Sequence, residues 1–67
     1  MITITVNGES REVPPDLTLV GLLGHLAVDP RMVVVEHNRV IVRRTRLDEV
    51  TVGSGDQVEI VQFVGGG

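Results

Sequence analysis

The sequence predicts an α+β domain, a mixed sheet of four to five strands with one helix packed on one face. Three observations predict it. Ile2, Ile4 and Val6 alternate with Thr3 and Thr5 and run into Asn7-Gly8, the pattern of a hairpin. Leu19, Leu22, Leu23 and Leu26 then recur at i, i+3, i+4, i+7, the apolar stripe of a short helix. Three further strand-like runs follow, rich in valine and isoleucine, giving the order β-β-α-β-β-β.

Composition narrows the class. Sixty-seven residues make one domain, and a chain of that size buries only about 60% of the surface its unfolded form exposes. With no cysteine, neither a disulfide framework nor a thiolate zinc site is available. The core is therefore aliphatic: 42% of residues are hydrophobic and Phe63 is the only aromatic. A net charge of −3 argues against a nucleic-acid partner, and no apolar run approaches the ~18 residues of a membrane span. The opening Met-Ile-Thr-Ile-Thr-Val lacks the charged and apolar regions of a signal peptide, so a cytoplasmic location is expected. All six basic residues are arginine. This reads first as codon bias and second as the avoidance of side-chain amines that could attack a reactive acyl group on the chain.

In chain order, residues 2–6 form the first strand, Asn7-Gly8 supplies two residues that tolerate positive φ, and residues 9–13 return antiparallel. Pro14-Pro15 stops that strand. Residues 16–26 read as the helix, with Thr18 as N-cap and with Gly21 and Gly24 weakening it by about 1 kcal/mol each. It must be held by packing on the sheet. Asp29-Pro30 ends the segment. Val33-Val34-Val35 marks a buried strand, Asn38 a turn, and Val40-Ile41-Val42 a short edge strand. Residues 47–50 suit one helical turn that tucks Leu47 and Val50 under the sheet, and residues 53–56 a turn cluster. Residues 58–64 form the last strand, expected in the centre beside the first. The inward set is Ile2, Ile4, Val6, Val33, Val35, Val58 and Ile60, packed on the four leucines. Glu59, Val61 and Phe63 then point away from the helix.

The arrangement resembles the β-grasp fold of ubiquitin and its prokaryotic sulfur-carrier relatives. The Asn7-Gly8 hairpin, the helix from Thr18 to Leu26 and the end segment from Gly55-Asp56 to Gly65-Gly66-Gly67 carry the likeness. A Gly-Asp turn, an alternating strand and a terminal di-glycine on a chain of this length resemble the ThiS family, the sulfur carriers of thiazole (thiamin) biosynthesis, as does the stretch from Val33 to Val40. The resemblance implies that the carboxylate of Gly67 is adenylated by an E1-like adenylyltransferase. It implies that a sulfur-donating enzyme then supplies sulfur to form a thiocarboxylate, and that thiazole synthase consumes it. Gly65 and Gly66 would be the tail threaded into the partner's active site. Residues 1–64 are then the β-grasp domain and 65–67 a flexible tail. This chain is a protein cosubstrate in that reading and binds no cofactor; the activating enzyme uses the ATP. A carrier for molybdopterin or cysteine biosynthesis, a ubiquitin-like modifier and a plain interaction module with an inert tail are the alternatives.

Other residues take humbler roles. Val61 and Phe63, joined by Val34, read as an exposed docking face beside the tail. Arg43, Arg44 and Arg46 read first as a solvated edge that blocks strand pairing, and second as a charge that steers an acidic partner. His25 and His37 lack metal-ligand spacing and read as structural; Gly53-Ser54-Gly55 lacks the lysine of a phosphate-binding loop.

Overall fold

The structure, a computed structural model, describes residues 1–63. Strands β1 (Ile2–Val6), β2 (Glu9–Val13), β3 (Val33–His37), β4 (Val40–Val42) and β5 (Gln57–Gln62) form one mixed sheet in the order β2-β1-β5-β3-β4. Helix α1 (Leu19–His25) crosses one face. Strand β5 is central and beside β1, as expected from the sequence; it runs parallel to β1 and antiparallel to β3.

Both hairpins turn on asparagine. Asn7-Gly8 has φ values of 51° and 80°, and Asn38-Arg39 has 51° and 70°. Positive φ at both central residues lets a two-residue turn match the right-handed twist of its strands. The second turn places a non-glycine, Arg39, in that left-handed conformation. It sets the pairing His37 with Val40, Glu36 with Ile41 and Val35 with Val42.

The helix is shorter than its apolar stripe suggests. Asp16 takes φ 65°, and Thr18 is extended and bridged to Thr51, so the helix starts at Leu19. The Thr18 hydroxyl accepts from the Gly21 N–H at 3.1 Å, confirming the cap. At the other end Ala27 N–H donates to the Gly24 carbonyl and Val28 N–H to that of Leu23. That pair of bonds is a Schellman closure, with Ala27 at the left-handed position (φ 59°). The Leu19 N–H donates to the Val50 carbonyl and the Val52 N–H to that of Leu17, tying the helix start to the chain before β5.

The core comprises Ile4, Val6, Val13, Leu19, Leu22, Leu23, Val33, Val35, Leu47, Val52 and Val58. The inward set holds, although Ile2, Leu26, Val50 and Ile60 pack at its margin. Val13 and Val52 are core positions that the sequence reading passes over. The helical turn also differs: a 3-10 turn covers Arg44–Arg46, with Leu47 buried at its end. Its start is set by the Arg46 N–H bond to the Arg43 carbonyl, three residues before the residues 47–50 expected from Leu47 and Val50. The end of β5 lies at Gln62 rather than in Val64, which is outside the described residues.

Candidate functional site

One helix covers one face of the sheet and leaves the other to solvent. Strand alternation sends Val58 and Ile60 toward the helix and Glu59 and Val61 away from it. Val34 stands directly opposite Val61 on the open face. Phe63 follows β5 and donates its N–H to the Met32 carbonyl at 3.1 Å. Val34, Val61 and Phe63 are 44%, 58% and 40% exposed, so the three residues proposed for docking do share an open surface. Gly65, Gly66 and Gly67 lie outside the described residues, as does the expected boundary after Val64.

Ile41 joins this surface at 66% exposure and was missed from sequence. The signal was present in the two-residue Asn38-Arg39 turn, which pairs Ile41 with Glu36 and so puts it on the same face as Val34. Val34, Ile41 and Phe63 line an open groove of about 390 Å³ together with Arg31, Arg43 and Arg44. Arg31 is bonded to Asp29 at 2.9 Å. Its side-chain hydrogen bonds, then its backbone N–H, hold the Asp29 carboxyl down at about 2. Arg46 pairs with Glu49 at 3.6 Å and does not line the groove. Thus the arginine cluster divides: Arg43 and Arg44 flank the apolar surface, and Arg46 belongs to the solvated edge.

Two asparagine side chains hold the central strand. Asn7 Oδ1 accepts from the Ile60 N–H at 2.7 Å, and Asn7 Nδ2 donates to the Ile60 carbonyl at 3.2 Å. This amide continues the β1–β5 ladder past the end of β1. Asn38 Oδ1 accepts from the Gln57 N–H at 2.9 Å, while its own N–H donates to the Gln57 carbonyl at 2.7 Å. Sequence reasoning saw only the turns these residues make.

His37 Nε2 donates to Asp56 Oδ2 at 2.6 Å, and the same carboxylate accepts from the Gly53 N–H at 2.8 Å. Partial burial pushes the Asp56 carboxyl up, but the bonds from Gly53, His37 and Asn38 together hold it below its ordinary value. The pair fixes the turn that feeds β5. His25 lies exposed in the last turn of α1. Among the described residues no group of three or more metal-ligating side chains gathers around either histidine.

Residues 4–67 match the model of the ThiS family. The chain belongs to that family. It is 35% identical over 65 residues to the sulfur carrier protein ThiS of Bacillus subtilis, covering 96% of this chain and 98% of that protein. A crystal structure of the thiamine biosynthesis protein ThiS from Geobacter metallireducens superposes with a TM-score of 0.86 at 38% identity, covering 98% of this chain and all of that one. The expected β-grasp architecture is thus the one observed. The chain is also 45% identical over 64 residues to a thiazole synthase of Paramagnetospirillum magneticum, of whose length it spans 20%. Among the described residues, no helix is long and apolar enough to cross a membrane.

Proposed function

We propose that the chain is a sulfur carrier of thiazole (thiamin) biosynthesis, a protein cosubstrate whose reactive group is the carboxylate of Gly67. The observation that carries this reading is its alignment with a sulfur carrier over 98% of that protein's length. The chemistry asks for no catalytic side chain on the carrier. A carboxylate is a poor electrophile. Attack of its oxygen on the α-phosphorus of ATP, in the active site of an E1-like enzyme, releases pyrophosphate and leaves an acyl-adenylate. Hydrosulfide supplied by a sulfur-donating enzyme then attacks the acyl carbon, the bond from that carbon to the AMP oxygen breaks, and AMP leaves a thiocarboxylate that carries the sulfur. Gly65 and Gly66 would pass through a channel too narrow for any residue with a Cβ. Val34, Val61 and Phe63 would dock the carrier while β5 aims the tail.

Thiazole synthase is the partner we infer for sulfur delivery. The similarity of this chain to one fifth of a thiazole synthase supports a carrier and a synthase that work in contact. The reading predicts a gain in intact mass equal to the replacement of one oxygen by sulfur on incubation with the cognate E1-like enzyme, ATP and a sulfur donor. Removal of Gly67 abolishes that gain and leaves thermal unfolding unchanged. An unchanged mass, with an activating enzyme shown to form adenylate on another carrier, rejects the proposal. A ladder of stable conjugates on lysines would instead mark a protein modifier.

A further inference from the structure

We propose that the groove beside the end of β5 receives an acidic, apolar-tipped segment of thiazole synthase, with Arg43 and Arg44 as the residues that select it. The inference rests on the carrier reading above and names the chemistry of its partner surface. The apolar lining of the groove is Pro30, Val33, Val34, Ile41, Val42 and Phe63, a surface suited to an aliphatic or aromatic side chain. Its rim carries Arg31, Arg43 and Arg44. Arg31 is paired with Asp29, whose charge also reaches Arg44, whereas among the described residues no carboxylate lies within salt-bridge distance of Arg43 or Arg44.

Charge along the open face is polarised. At the inner margin of the groove, next to Ile41, Glu36 stands opposite Glu59 across β3 and β5. An acidic segment is repelled there and attracted at the arginine rim, so the electrostatics set which way the partner lies. The chain as a whole carries −3. This positive rim is therefore a local exception that would orient an approaching acidic surface. Register of that kind matters for a carrier, because the segment bound in the groove fixes where the tail enters.

The test uses the full chain and purified thiazole synthase from the same genome. Binding is measured from about 50 to 500 mM salt, a range across which screening of exposed charges becomes severe. Combined Arg43→Glu and Arg44→Glu is expected to weaken binding roughly tenfold or more at the lowest salt, mostly through slower association. The gap should close as salt rises. Arg43→Lys with Arg44→Lys restores binding, and Arg46→Glu, outside the groove, leaves it unchanged. If the glutamate pair binds as tightly as wild type, the inference is overturned while the carrier reading stands. It is likewise overturned if sedimentation shows the groove occupied by a second copy of this chain. If wild type gains sulfur mass yet does not bind the synthase, the partner assignment falls; if it gains none, the carrier reading itself falls.

Discussion

Ala27 occupies the position where a helix C-terminus favours glycine, and Gly24, one turn earlier, occupies one that favours alanine. Ala27 has φ 59° and closes the Schellman bonds. A left-handed conformation costs a residue with a Cβ roughly 1–2 kcal/mol, and glycine's extra freedom in the unfolded chain returns about half of that. Ala27→Gly should therefore stabilise by about 0.5–1 kcal/mol, raising the Tm by a few degrees in a domain of this size. A Cβ added at Gly24 meets nothing within 4 Å, so Gly24→Ala should add about 1 kcal/mol more. Thermal melts of the single and double variants check both; a fall in Tm for Ala27→Gly would show that the left-handed closure is not what limits the helix end. Acid stability belongs to the same scale. The Asp56 carboxyl is held below its ordinary value, so its contribution is complete above the unfolded pKa of about 3.9 and disappears as pH falls through the lower folded value. Asp56→Asn should cost roughly 1–2 kcal/mol at neutral pH. Its stability should then decline less steeply than that of wild type below about pH 4. Parallel acid curves for the two proteins would place the sensitivity elsewhere.

At the scale of elements, β5 is the strand on which both halves of the sheet depend. It is clamped at Gln57 by Asn38 and at Ile60 by Asn7, each from a hairpin turn. The Asn7 clamp lies three residues before Phe63, so it governs how firmly the strand end is held. Asn7→Gly keeps the positive φ and removes the amide, and glycine's freedom in the unfolded chain adds a cost that is global and does not bear on the strand end. The expected loss is about 1–2 kcal/mol for two hydrogen bonds, and amide exchange at Ile60 should quicken far more than at Ile4. Equal quickening at both would mean that Asn7 serves general stability and not the strand end. Much of this level was legible in the sequence. Period-2 alternation located β1, Asn7-Gly8 located its hairpin, and Thr18 located the cap. The clamps were not legible, because the partner of Asn7 is 53 residues away and local patterning carries no trace of it. The same holds for Val13 and Val52, which are buried by neighbours distant in the chain, and for the late start of α1, set by the bridge from Thr18 to Thr51.

At the scale of the molecule, a two-layer domain with one helix can bury only one face of its sheet. The other face is free to carry apolar residues for a purpose other than folding. Alternation in β5 sorted Val61 and Val58 to opposite sides from sequence alone. Ile41 escaped because its face depends on hairpin register. The two faces should respond differently to substitution. Leu22 is fully buried, and Leu22→Ala should cost 2–5 kcal/mol, enough to unfold much of so small a domain. Ile41→Thr and Val61→Thr keep β-branched side chains on exposed strand positions, so stability should shift by no more than about 0.5 kcal/mol. If the open face docks the carrier, these same variants should weaken binding to thiazole synthase and slow sulfur transfer. Their circular dichroism and Tm should stay at wild-type values. Val40→Thr is the internal control. Val40 is 64% exposed, close to Ile41, but pairs with His37 on the opposite face of the sheet. Loss of binding by Ile41→Thr and Val61→Thr, with Val40→Thr unaffected, assigns recognition to one side of the sheet. Equal losses from all three would reduce the effect to general surface hydrophobicity and remove the outer face as the docking site.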